Sequence, residues 1–186
     1  MHIYSIGLIV GSLRRESLNR RLARALARLG PADFRFSEIE IGDLPLYNQD
    51  EEASPSAAVA RLKAEISAAD GLLFVTPEYN RSIPGVLKNA IDHASRPYGK
   101  HVFVGRPAAV IGVSIGVLGT ALAQQHLRNM LAYLDAPTLG QPEVFLHAKP
   151  DLFAADGQIG DATRGFLQGF VERYAAWVRK HAPASR

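Results

Sequence analysis

Three short runs in this chain are apolar at nearly every position: "IGLIV" at 6–10, "GLLFVT" at 71–76 and "PAAVIGVS" at 107–114. A strand with one wet face alternates apolar and polar residues, whereas a strand apolar on both sides must be covered on both. Such strands belong at the centre of a parallel sheet with helices above and below it. The segments between the runs fit that demand. Leu18, Leu22, Ala25, Leu26 and Leu29 recur at helical spacing over 17–29, and Gly30-Pro31 stops that helix. Residues 56–69 read as a second helix, Val86, Leu87, Ala90, Ile91 and Ala94 mark a third, and a fourth begins near 120. Phe166, Phe170, Tyr174 and Trp177–Val178 mark a closing helix, and weaker strands at 33–41 and 143–147 complete the alternation. The expectation is an α/β chain with a five-stranded, doubly wound parallel sheet and right-handed crossovers. With 186 residues and no long linker, the chain reads as one domain over 1–186.

Composition removes several classes of function. The chain has no Cys, which excludes a disulfide framework, a thiolate nucleophile and a thiolate metal site. Its six His residues show no ligand-pair spacing, so no metal is assigned. A net charge of +3 is a mild excess, and no nucleic-acid-binding signature accompanies it. The N-terminus lacks the basic stretch of a signal peptide, and no segment approaches the ~20 apolar residues of a membrane span. The expectation is a cytoplasmic protein with neither nucleic acid nor membrane as partner.

Parallel strands deliver their following loops to one edge of the sheet, and three of those loops are chemically unusual. In "GSLRRESLN", residues 11–19, a helix N-terminus supplies free N–H groups and a favourable dipole for an anion. Ser12, Ser17 and Asn19 add donors, Arg14 or Arg15 adds a charge-assisted bond, and Gly11 lets the backbone turn closely. The helix arginines 20, 21, 24 and 28 read as a solvated face. The spacing fits neither the Walker loop nor Gly-x-Gly-x-x-Gly, so phosphate binding is generic at this level. The second loop, Pro77-Glu78-Tyr79-Asn80-Arg81-Ser82, is stiffened by prolines and offers a ring and backbone amides to a flat heterocycle; a plain loop with a helix cap is the alternative. The third, Ser114-Ile115-Gly116-Val117-Leu118-Gly119, allows close backbone approach. It also completes Gly-x-Ser-x-Gly, the serine-hydrolase elbow, with Asp135 and His147 following in hydrolase order.

At these three loops the sequence resembles the NADPH-dependent FMN reductase family, with its quinone, chromate and azo reductase members. The matching stretches are "GSLRRESLNRRLA", "TPEYNRSIPGVLKNAIDHASRP" and "GRPAAVIGVSIGVLGTALAQQHLRNML". The resemblance implies a flavodoxin-like three-layer sandwich with strand order 2-1-3-4-5. It gives Ser12, Arg14, Ser17 and Asn19 to the phosphate of FMN. It gives Pro77, Glu78, Tyr79 and Asn80 to the isoalloxazine, and Ser114 and Gly116 to the pyrimidine side. Where the family often has Gly-Gly, this chain has Gly119-Thr120, and a Thr there can cap the next helix or narrow the pocket. Arg15 and Arg81 fall at variable positions, and either could meet the phosphate of NADPH. The family also implies a homodimer or homotetramer, with contacts on the helices at 84–96 and 120–135.

The function expected is therefore an FMN-dependent oxidoreductase that takes hydride from NADPH or NADH. It passes two electrons to a small acceptor, whether quinone, free flavin, azo compound or oxidised metal ion such as chromate, by a ping-pong mechanism. The chemistry belongs to the cofactor, so no acid–base catalytic residue is named. The rivals are a non-enzymatic flavodoxin-like electron carrier, a nucleotide-binding regulator, and a serine hydrolase using Ser114.

Overall fold

The computed structural model describes residues 2–183. Strands β1 (Tyr4–Val10), β2 (Phe34–Glu38), β3 (Gly71–Val75), β4 (Ala108–Ser114) and β5 (Phe145–His147) form one sheet. Their order is β2-β1-β3-β4-β5, and every pair is parallel. Helices α1 (Leu18–Arg28), α2 (Ala57–Ala68), α3 (Gly85–Ala94), α4 (Ala121–Tyr133) and α5 (Asp161–His181) fill the two outer layers. This is the flavodoxin-like topology that the resemblance implies.

The chain moves outward from β1 to β2, then returns across β1 to start β3. That reversal opens a crevice beyond the carboxyl ends of β1 and β3, where open α/β sheets bind ligands. Register sharpens the point. Val10 lies opposite Val75, Val75 opposite Ile111, and Ser114 opposite His147. Strands β1 and β3 thus end level with each other, and β4 runs three residues further, to Ser114, before its loop leaves from the same edge.

Alternation within the strands divides the core. Ile6, Leu8, Val10, Leu73, Val75, Ile111 and Val113 pack on one face against Leu22 and Leu26 of α1 and Phe170, Tyr174 and Val178 of α5. Ile9, Leu72, Phe74 and Val110 pack on the other against Leu62, Ile66, Leu87, Ile91, Leu127 and Leu131. Both faces of β1, β3 and β4 are covered, as their composition requires. The edge strands are shorter than their apolar runs. The β2 ladder stops at Glu38 rather than at residue 41, and β5 keeps three residues. Between β2 and α2 lies one 3-10 turn, Gln49–Glu51, capped by Asn48. Tyr174 is fully buried, and no partner among the described residues meets its hydroxyl. That burial pushes the phenol well above its ordinary pKa.

Candidate functional site

The first loop is built as a donor set. Ser17 caps α1, its Oγ accepting the Arg20 N–H at 3.1 Å. Ser12 Oγ accepts the Arg14 N–H at a longer 3.4 Å. Both serines are buried, and in both the hydroxyl acts as acceptor toward the backbone. A hydroxyl carries one O–H besides its lone pairs, so each keeps a donor free. Among the described residues, no acceptor in the protein meets the main-chain N–H of Ser12, Leu13, Arg15 or Glu16. Free N–H groups, two free hydroxyl donors and an exposed Arg14 at a helix N-terminus suit a phosphate.

Asn19 plays a different part from the one the sequence suggests. Its Nδ2 donates to the Val113 carbonyl at 2.9 Å, and its Oδ1 accepts the Val113 N–H at 3.0 Å. Both amide atoms are committed to β4, so the side chain ties the first turn of α1 to the strand that feeds the third loop. What Asn19 keeps for an anion is its main-chain N–H.

The second loop begins against the first. A Cβ on Gly11 would lie 3.0 Å from Thr76 Oγ1 and 3.4 Å from Pro77 Cδ, so the close approach needs glycine. Tyr79 and Ser82 then exchange two backbone hydrogen bonds, 2.9 and 3.0 Å long. Asn80 and Arg81 between them have φ of 51° and 62°. Two consecutive left-handed residues make a type I′ turn. Asn tolerates that conformation, whereas Arg pays roughly 1–2 kcal/mol for it. The Tyr79 ring, half exposed, stands at the start of this turn.

Glu78 also does something its position in the sequence does not announce. Its Oε2 accepts the N–H groups of Leu122 and Ala123 at 3.0 and 3.1 Å, capping α4 from another loop. Ser82 Oγ and His126 Nδ1, 2.9 Å apart, join the same turn to α4 again. Thr120, for which the sequence leaves open a cap or a narrowing of the pocket, makes no capping bond. Its Oγ1 accepts from Gln124 Nε2 at 2.8 Å, and both residues are fully buried behind β4. Thr120 therefore fills space beneath the strand. No sequence pattern marks the Glu78 cap, because its two ends are 44 and 45 residues apart.

In the third loop, Ser114 Oγ accepts the Gly116 N–H at 3.0 Å. Around a Cβ on Gly116, only that oxygen lies within 4 Å, so the space beside it is open. Gly119 has a φ of 59° and packs against the backbone of Phe145 and Leu146, a place for glycine alone. Ile115, Val117 and Leu118 expose apolar side chains along the rim.

The hydrolase constellation does not assemble. Ser114 ends β4, whereas Asp135 follows the carboxyl end of α4, which antiparallel packing carries to the opposite edge of the sheet. Among the described residues no group of His, Asp or Glu could hold a metal ion, and no helix is long and apolar enough to cross a membrane.

Loops one, two and three meet at one edge. They offer a phosphate cradle, a rigid turn with a ring, and an open glycine-lined wall. That set fits FMN, a phosphate joined through a chain to a flat heterocycle.

Known proteins agree with this geometry. A family model described as NADPH-dependent FMN reductase matches residues 4–151. A 2-hydroxy-1,4-benzoquinone reductase from a Burkholderia species is 53% identical over 175 residues, covering 94% of this chain and 96% of its own. A quinone reductase of Pseudomonas putida is 50% identical over 178 residues, covering 95% and 96%. The structure of FerB, a flavoenzyme NAD(P)H:(acceptor) oxidoreductase from Paracoccus denitrificans, superposes with a TM-score of 0.93 at 45% identity, covering 97% of this chain and all of FerB.

Proposed function

The chain belongs to the NADPH-dependent FMN reductase family, and from that premise we propose that it delivers electrons to quinones, taking donor and acceptor in turn. It is an FMN-dependent NAD(P)H oxidoreductase. FMN supplies the redox chemistry, accepting hydride from the nicotinamide and giving up two electrons to an acceptor. The residues of the chain bind, orient and exclude water.

Ser12, Ser17 and Arg14, with the main-chain N–H of Asn19, hold the phosphate. Pro77, Tyr79, Asn80 and the backbone of Glu78 border the isoalloxazine, and Ser114 and Gly116 border its pyrimidine side. The Glu78 carboxylate positions that turn by gripping α4. The whole chain acts as one FMN-binding domain in the cytoplasm. Quinones are preferred over free flavin, azo compounds or chromate because the two relatives at 50% identity or more carry quinone or benzoquinone reductase names. The observation that carries the reading is the convergence of an unsatisfied donor loop and two ring-bordering loops at the switch point of the sheet.

Arg14→Ala tests the phosphate assignment. Only FMN has the phosphate, so its affinity falls roughly ten- to hundredfold, while riboflavin binding moves little. Fluorescence titration with both ligands reads the difference, and an equal loss for both would remove Arg14 from the phosphate.

In the proposed mechanism donor and acceptor use the same face of the flavin in turn. Double-reciprocal plots of rate against NADPH at several quinone concentrations are expected to run parallel. Intersecting lines would mean that donor and acceptor sit in the site together.

Assembly as a homodimer or homotetramer belongs to the same proposal. Between α3 and α4 runs a groove of about 460 Å³ floored by Ile91, Met130 and Leu134, with Tyr98 and Tyr133 exposed beside it. A solution mass equal to one chain, from light scattering, would overturn that contact.

A further inference from the structure

A second cleft lies on the other side of the phosphate loop. It holds about 570 Å³ and is lined by Leu13, Arg15, Arg20, Arg24, Glu38 and Glu40. Arg20 and Arg24 stand four residues apart on α1 and so share a helix face. Arg15 reaches the same cleft from the loop, and the two glutamates come from the end of β2 and the residues after it.

The charges in this cleft divide unequally. Arg20 is committed: its Nε donates to Glu38 Oε1 at 2.7 Å, and its Nη1 to the Arg14 carbonyl at 3.4 Å. Glu40 is held too, its Oε1 accepting the Gly42 N–H at 2.6 Å. Arg15 and Arg24 are exposed, and among the described residues neither has a hydrogen-bond acceptor, an ion-pair partner or a ring beneath it. Two unpaired guanidinium groups facing one cleft match a phosphate dianion with forked donors.

The cleft lies on the β2 side of β1, whereas the loops that border the ring follow β3 and β4. Neighbouring strands are ~4.8 Å apart, so the cleft stands roughly 10–15 Å from the ring across the sheet edge. A dinucleotide laid from the ring back over the phosphate loop ends in this region.

We propose that Arg15 and Arg24 receive the 2′-phosphate of NADPH in this cleft and so set the preference for NADPH over NADH. The proposal rests on the flavoenzyme reading above and extends it to the far end of the donor. Arg24, one of the arginines that sequence alone assigns to a solvated face, becomes a specificity residue. Arg20 is a positioning residue, locked to Glu38 so that this carboxylate does not neutralise the other two.

The test separates binding from turnover. FMN-loaded protein is titrated calorimetrically with 2′,5′-ADP, which carries the 2′-phosphate, and with 5′-AMP, which lacks it. The protein is expected to bind 2′,5′-ADP at least about tenfold more tightly, with the advantage shrinking as salt rises. Arg24→Ala removes most of the difference, and Arg15→Ala with Arg24→Ala abolishes it. Arg28→Ala, whose guanidinium bonds the Asp156 carbonyl outside the cleft, retains it. In parallel, the ratio of kcat/KM for NADPH to that for NADH falls at least tenfold in Arg24→Ala. Equal affinity for the two adenine nucleotides, or a difference that survives the double substitution, overturns the proposal. If FMN still binds and bleaches with NADPH in that case, only the phosphate seat is wrong. If the protein takes up no FMN at all, the flavoenzyme reading itself has failed.

Discussion

Gly112→Ala is expected to destabilise the protein more than any substitution on its surface. Gly112 sits in β4, the strand between the second and third loops. A Cβ there would collide with the Thr76 carbonyl oxygen and the Thr120 hydroxyl. Neither can step aside. Thr76 is fixed at the base of the second loop by its own N–H, which donates to Ile111 O at 3.0 Å. Thr120 is gripped by Gln124, whose Nε2 also donates to the Val144 carbonyl at 2.8 Å. Overpacking usually costs about 1–3 kcal/mol, and a collision with backbone on a central strand exceeds that. A cost of about 4 kcal/mol would lower Tm by roughly 8–16 °C in a chain of this size. FMN affinity should fall with it, because the displaced atoms are where the second loop begins and the third ends. Thermal melts followed by circular dichroism check this, and a Tm within about 2 °C of the parent would show that β4 and the second loop separate easily.

Asn19→Ala is expected to cost roughly 2–5 kcal/mol, because it leaves the buried N–H and C=O of Val113 without the partners they have now. Asn19→Asp does not rescue it. The carboxylate still accepts the Val113 N–H, but it sets a charged oxygen against the Val113 carbonyl in a buried place. Asn19→Ala frees the first loop from the strand that feeds the third, and Asn19→Asp weakens that tie, so weaker FMN binding follows from loosened geometry in both. Urea unfolding and FMN titration of the same samples separate the two effects. Reduced FMN affinity at unchanged stability would mean that the amide touches the ligand and that β4 does not need it.

How far these residues were legible follows from what a sequence encodes locally. Strands β1, β3 and β4 were plain because burial on both faces leaves an unbroken apolar run. Their loops were then located by topology, before any contact was known. Strand β2 was overextended because Ile39 and Ile41 are buried beyond its ladder, and apolar burial alone does not end a strand. The resemblance gives Asn19 to the phosphate and Glu78 to the ring, whereas in the structure each side chain hydrogen-bonds to a distant element. Asn19 reaches Val113 across 94 residues, and no local pattern separates that from a ligand contact. Thr120 shows the converse, a capping residue type at a helix start where a carboxylate from elsewhere does the capping. The Gly-x-Ser-x-Gly match failed because chain order says nothing about which sheet edge holds Asp135.

In the proposed function the three loops at one sheet edge hold FMN where NADPH can reduce it. The most direct measurement is the visible spectrum of FMN-loaded protein, freed of unbound FMN by gel filtration, before and after NADPH is added without oxygen. The protein is expected to come off the column yellow, to bleach with NADPH, and to recover its colour when a quinone is added. A protein that emerges colourless after incubation with FMN, or that stays yellow in the presence of NADPH, would contradict the account.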